Sequence, residues 1–177
     1  MVLKLTEIAR KTLEAYINDE NFELDEETED FYNEEKACFV TLNLGENLRG
    51  CIGCLDAEGK SLWKCVQDNT INAGFKDPRF PPLGREELDK VEIEVSVLTK
   101  PEKINFSDSG DLLNQIDQEM GLILKKGSRS STFLPQVWEQ IDNKINFLQY
   151  LCVKAGLDKD EWKSKDIEIF YYGVEIE

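Results

Sequence analysis

Apolar residues at Leu5, Ile8, Ala9, Leu13, Tyr16 and Ile17 fall at helical spacing, so the spacing predicts an amphipathic helix over Leu5 to Ile17. From Cys38 the period changes to two: Cys38, Val40, Leu42 and Leu44 share one side of a strand. Gly45-Glu46-Asn47 follows, then a second run from Leu48 to Cys54, and the pair reads as a β-hairpin. Ser61 is placed to cap a helix through about Phe75 that buries Leu62, Cys65, Val66 and Ala73. Lys76-Asp77-Pro78-Arg79-Phe80-Pro81-Pro82 is a loop, because its prolines remove donors and bar the residues before them from the helical region. Val91, Ile93, Val95 and Val97 alternate with Glu92, Glu94 and Ser96, the pattern of a strand with one buried face.

The second half continues with a helix near Asp111 to Asp117 and a short strand near Leu122 to Lys125. A polar turn from Lys126 to Ser131 and a helix opening at Pro135 come next. Ile145 to Leu157 carries Leu148, Leu151, Cys152 and Ala155 at helical spacing, with Gly156 suited to the left-handed residue past its end. Ile167 to Ile176 closes the chain as an aromatic strand, and Trp138 and Trp162 are expected in the core. Helices and strands mix without βαβ alternation, which predicts an α+β fold with a largely antiparallel sheet and flanking helices.

Composition narrows the functional classes. The 177 residues suit one domain, and the net charge of −15 is concentrated between Asp19 and Glu35, where ten acidic residues meet no basic one. Such a run reads as a solvated connector in preference to a partner-docking tail. The negative field disfavours global binding to nucleic acid or to an anionic membrane. No apolar run approaches ~18 residues, and no secretory signal is visible, so the expected location is cytoplasmic with five reduced cysteines. The chain has no histidine, which removes every imidazole base, Cys-His or Ser-His pair and His metal ligand.

Three stretches carry candidate chemistry. In Leu48-Arg49-Gly50-Cys51-Ile52-Gly53, an extended backbone projects Arg49 and Cys51 from one face. A guanidinium beside a thiol favours thiolate, which makes Cys51 a candidate nucleophile or anion contact without histidine. Gly50 and Gly53 permit close backbone approach, so free N–H groups there would cradle an oxyanion. The alternative is a glycine bulge with Cys51 as a small buried hydrophobe. Cys51-Ile52-Gly53-Cys54 also spells C-x-x-C, yet zinc needs about four ligands and none is spaced to complete them. As a redox pair it requires a turn at Ile52-Gly53, because three extended residues span roughly 10 Å and put the thiols on opposite faces, whereas a disulfide needs Cα atoms within ~7 Å.

The second stretch comprises Asn69, Asn72, Lys76, Asp77, Arg79 and Phe80, where Arg79 either clamps a carboxylate or phosphate or joins Asp77 in tying down its own loop. The third is the turn with Lys126 and Arg129, either an anion contact or a solvated turn; its spacing is not that of a Walker loop.

The run Leu48 to Gly53, together with Cys38-Phe39-Val40-Thr41-Leu42, Asp77-Pro78-Arg79-Phe80-Pro81-Pro82-Leu83, Thr132-Phe133-Leu134-Pro135-Gln136-Val137-Trp138-Glu139 and the stretch from Leu151 to Leu157, resembles the AMMECR family, named for the Alport syndrome, midface hypoplasia and elliptocytosis chromosomal region. The six residues from Leu48 match its signature, and the similarity covers nearly the whole chain. The resemblance implies a single domain over 1–177, with a larger subdomain from both chain ends, a smaller one from the middle, and the signature facing a cleft between them. It implies no reaction, metal or cofactor. Relatives encoded beside or fused to Memo-like and radical-SAM proteins point to such partners. Cys54 departs from the family pattern, in which the residue after the signature is seldom Cys. Two classes follow: a protein or enzyme that takes a small anionic ligand at Arg49, Gly50, Cys51, Ile52, Gly53 and Arg79, or a noncatalytic module that docks a partner there.

Overall fold

The computed structural model describes residues 1–141 and 143–177, which divide into two units: Met1–Leu98 with Glu175–Glu177, and Thr99–Val174. In the first unit, helix α1 (Leu5–Ile17) buries Leu5, Ile8, Ala9 and Leu13 as one stripe. Its Arg10 donates to the main-chain oxygens of Leu88 and Val91.

The acidic run is not a bare connector. It contains helix α2 (Glu26–Phe31), capped by the Asp25 carboxylate accepting from Thr28 N at 2.9 Å. Carboxylates gathered at a helix N-terminus meet its positive end instead of only repelling one another. Thr28 is fully buried, and Phe22, Leu24 and Tyr32 pack on the core, which supplies the apolar anchorage that charge counting overlooks.

Strands β1 (Cys38–Leu44) and β2 (Asn47–Gly53) form an antiparallel hairpin through Gly45-Glu46, with Gly45 at φ +58°. Only glycine takes that left-handed turn conformation without strain. Helix α3 (Leu62–Phe75) packs on both strands and on α1. Ser61 stands at its N-cap without a side-chain bond; its backbone instead bridges to Glu35. After the proline loop, a 3-10 turn at Arg85–Glu87 leads into β3 (Val91–Leu98), which pairs with β1. Cys38, Val40, Leu42, Val91, Val95 and Val97 face the helices.

The second unit runs β4 (Glu102–Lys103), α4 (Ser109–Gln115), β5 (Gly121–Lys126), β6 (Arg129–Phe133), α5 (Lys144–Lys154) and β7 (Glu168–Tyr172). Its sheet order is β4-β7-β5-β6, all antiparallel. Asp108 accepts from Gly110 N and Asp111 N, so α4 starts earlier than periodicity alone implies. Pro135 opens a 3-10 turn, Pro135–Glu139, and not an α-helix. Trp138 stacks on Phe147 at 3.6 Å, and Trp162 is buried, both within the core. Gly156, at φ +72°, follows the end of α5.

The aromatic stretch at the end is not one strand. It breaks at Gly173 into β7 and β8 (Val174–Ile176), and β8 returns to the first sheet, whose order is β2-β1-β3-β8. Gly173 is the residue at which the sequence marks this change of sheet. The architecture is α+β with two four-stranded antiparallel sheets. No helix among the described residues is long and apolar enough to cross a membrane.

Candidate functional site

The pairing of β1 with β2 slips by one residue: Leu42 faces Gly50 while Asn43 faces Leu48, leaving Arg49 as the extra residue of a bulge. The shared face expected for Arg49 and Cys51 is therefore lost. Arg49 and Gly50 are both buried. The Arg49 guanidinium grips Glu87 bidentately, Nε to Oε1 at 2.7 Å and Nη2 to Oε2 at 2.9 Å. Glu87 Oε2 also accepts from Gly84 N at 2.7 Å. Arg49 accordingly holds the Glu87 carboxyl below the usual carboxylate range. Gly50 is required by contact: a Cβ there would lie 2.2 Å from the Ala73 carbonyl oxygen of α3. At Gly53 a Cβ would meet the Phe39 ring at 2.2 Å, and Ile52 packs against the core.

Cys51 is half-buried and sits opposite Thr41, with Sγ 3.3 Å from Thr41 Oγ1. β2 is an edge strand, and both main-chain groups of Cys51 are taken by the proline loop. Its N–H donates to Asp77 Oδ2 at 3.0 Å, and its carbonyl accepts from Arg79 Nη2 at 3.0 Å. Side chains thus stand where a neighbouring strand would pair, sealing the edge. Because Asp77 takes this N–H, it is not a free oxyanion donor. Asp77 also accepts from Arg79 N, Nε and Nη2 at 3.1, 2.9 and 2.7 Å.

The Asp77 side chain is 1% exposed and that of Arg79 53%. Hydrogen bonds from Arg79, then from the main chain, hold the Asp77 carboxyl far below its ordinary value against the opposing cost of burial. Arg79 also lies 5.5 Å over the Phe80 ring, and the Asp77 carboxylate holds its guanidinium pKa above the ordinary value. Arg79 both ties down its loop and meets the signature strand. Its Nη1 has no partner among the described residues.

The remaining candidates lie elsewhere. Asn69 donates to Cys38 O at 3.0 Å on the helix side of the sheet. Asn69, Asn72 and Lys76 line a cavity of about 240 Å³ together with Cys54 and Cys65. Lys126 and Arg129, in the second unit, are occupied: Lys126 pairs with Glu161 and Asp166, and Arg129 donates to Gly156 O. Glu87, Thr41 and Cys65 were not singled out from sequence. Thr41 had a signal in the strand register; Glu87 had none, since the bulge turns Arg49 toward it. No group of three or more Cys, Asp or Glu side chains among the described residues is arranged to hold a metal.

The AMMECR1 family model matches residues 6–177. Protein NEQ441 of Nanoarchaeum equitans is 37% identical over 177 residues, 98% of each chain. Protein Mbar_A1807 of Methanosarcina barkeri is 38% identical over 170 residues, 92% of this chain and 83% of its own. The crystal structure of Uncharacterized Protein PH0010 from Pyrococcus horikoshii superposes with a TM-score of 0.84 at 34% identity, covering 97% of this chain and 88% of that one. With matches spanning almost its full length, the chain belongs to the AMMECR1 family.

Proposed function

We propose that the protein takes a small anionic ligand at Cys51, with the outer edge of Arg79 as the charge contact and the thiol as the reactive group. The observation that carries this reading is the Asp77 bridge, which fixes the Cys51 main chain and the Arg79 guanidinium in one frame while leaving Nη1 unpartnered and the side chain half exposed. A preorganised cation next to a thiol stabilises thiolate and orients an incoming carboxylate or phosphate. The Thr41 hydroxyl is placed to donate to the sulfur as charge builds on it. Arg49 acts through structure: it pairs with Glu87 and holds the bulge.

Alkylation mapped to Cys51 by peptide mass tests the reading, with anionic iodoacetate compared against neutral iodoacetamide. The expected result is an iodoacetate preference several-fold above that of the same thiol in the urea-unfolded chain, abolished by Arg79→Gln. Equal preference in folded and unfolded protein overturns it.

One observation favours a second reading. The Arg79 guanidinium already faces a carboxylate, which offsets the charge beside Cys51, as suits a face that docks a protein partner, of the Memo-like or radical-SAM class. Pull-down with wild type and Arg79→Ala separates the two: loss of a specific protein supports docking, and loss of a bound metabolite supports ligand handling.

A further inference from the structure

On the helix side of the first sheet, three residues beyond Cys51, lies a second thiol environment. Cys54 is half-buried just past the end of β2, and Cys65 is buried in the first turns of α3. Their sulfurs are 3.1 Å apart. Asn69, one turn along α3, holds its amide nitrogen 3.4 Å from Cys65 Sγ and 3.8 Å from Cys54 Sγ while bonded to Cys38 O. This amide braces the helix against the strand at the depth of the two thiols. The cavity of about 240 Å³ is lined by both sulfur-bearing residues and by Lys60, Asn69, Asn72 and Lys76. A disulfide has an S–S distance of about 2.05 Å, so closure asks the two sulfurs to approach by about 1 Å.

We propose that Cys54 and Cys65 form a dithiol that a small hydroperoxide oxidises to an intramolecular disulfide, with Cys54, the more exposed of the two, as the attacked thiol and buried Cys65 as the resolving one. The Cys54 thiolate attacks the terminal peroxide oxygen, the O–O bond breaks, and the alcohol (or water, from hydrogen peroxide) departs with the proton. This leaves a sulfenic acid on Cys54. Cys65 Sγ then attacks that sulfur, the S–O bond breaks, water leaves and the S–S bond forms. Two thiols lose two electrons and two protons, and the hydroperoxide becomes alcohol and water.

At about 30 Å³ of liquid volume per water, the cavity has room for hydrogen peroxide or a short alkyl hydroperoxide beside the two sulfur-bearing residues. Position selects the thiols. Cys51 points toward Thr41 on the other face, and Cys38 is not among the residues that line the cavity. The step is slow at neutral pH. Its contact with Cys38 and burial push the Cys65 thiol up to about 11, and the contact with Cys65 together with burial holds Cys54 above the ordinary thiol range. Because only thiolate reacts, the oxidation rate climbs about tenfold per pH unit through the alkaline range, where an exposed thiol levels off near ~8.5.

The test exposes the Cys51→Ser protein to excess hydrogen peroxide at alkaline pH, where the thiolate forms, blocks remaining thiols with N-ethylmaleimide and maps tryptic peptides. The expected result is loss of two thiols together without dimerisation, and a linked pair of peptides, Gly50–Lys60 with Cys65–Lys76. Cys65→Ser stops at a sulfenic acid on Cys54 that dimedone traps; Cys54→Ser gives no two-thiol loss. Native circular dichroism of both variants shows that the effect is not misfolding. Linkage of Cys38 to Cys65, intermolecular dimers, or Cys54 and Cys65 both still alkylated after oxidant treatment overturns the proposal.

Discussion

Cys51 and Cys54 stand three positions apart on one stretch of chain, yet they meet different chemistry. The Cys51 sulfur faces a hydroxyl on the outer side of the sheet, and its main chain is clamped by an aspartate–arginine pair. The Cys54 sulfur turns inward, to a second thiol and an amide beneath α3. One has a cation within electrostatic reach; the other has burial and sulfur neighbours that disfavour charge. The difference teaches that residue type and spacing set only which side of the strand a thiol takes. The element packed against that side sets what the thiol does.

The change expected to disturb this contrast most is Gly50→Ala. A Cβ 2.2 Å from the Ala73 carbonyl forces α3 away from β2, costing about 3 kcal/mol in urea unfolding and altering the reactivity of both cysteines. Next comes Asp77→Asn, which weakens the seal on the β2 edge and is expected to cost about 2 kcal/mol while raising Cys51 alkylation and leaving Cys54 as it was.

Asp77 also sets a pH dependence. Its native carboxyl ionises far below the unfolded value of about 3.9, so its contribution is complete above about pH 5 and is lost as pH falls toward the native value. Asp77→Asn flattens this acid limb in a stability–pH series. The smallest effect belongs to Thr41→Val, which removes the hydroxyl beside one sulfur. Cys51 alkylation is expected to slow about threefold with stability changed by less than about 1 kcal/mol, and Cys54 is the internal control.

Much of the fold was legible because the helix over Leu5 to Ile17, the hairpin and the strand from Val91 repeat their apolar residues at periods that burial on one face enforces. The bulge was not. One unpaired residue leaves no mark on composition, yet it moved Arg49 from the side of Cys51 to Glu87, a partner that only tertiary packing brings near. The Asp77–Arg79 tie was visible as loop chemistry, whereas its grip on the main chain of Cys51 depends on β2 lying at a sheet edge, which no local pattern records. The contact of Cys54 with Cys65 had a partial signal: Cys65 and Asn69 are one helical turn apart and face the same way. What local spacing lacked was the strand end to which that face would turn.

The segment Thr99–Val174 leaves the first unit after β3 and rejoins it at β8, and β3 and β8 are neighbours. Its two ends are stitched together: Thr99 N donates to Gly173 O at 3.0 Å, and Gly173 N donates to Thr99 Oγ1 at 2.8 Å. Val95 and Glu177 exchange main-chain bonds as an antiparallel pair. This gives the arrangement of a cassette with both splice points at one address. A tight Asn-Gly turn joining β3 to β8 would replace the entire segment with an ordinary hairpin, so grafting a foreign domain at that address asks of the recipient only that its termini lie a strand's width apart.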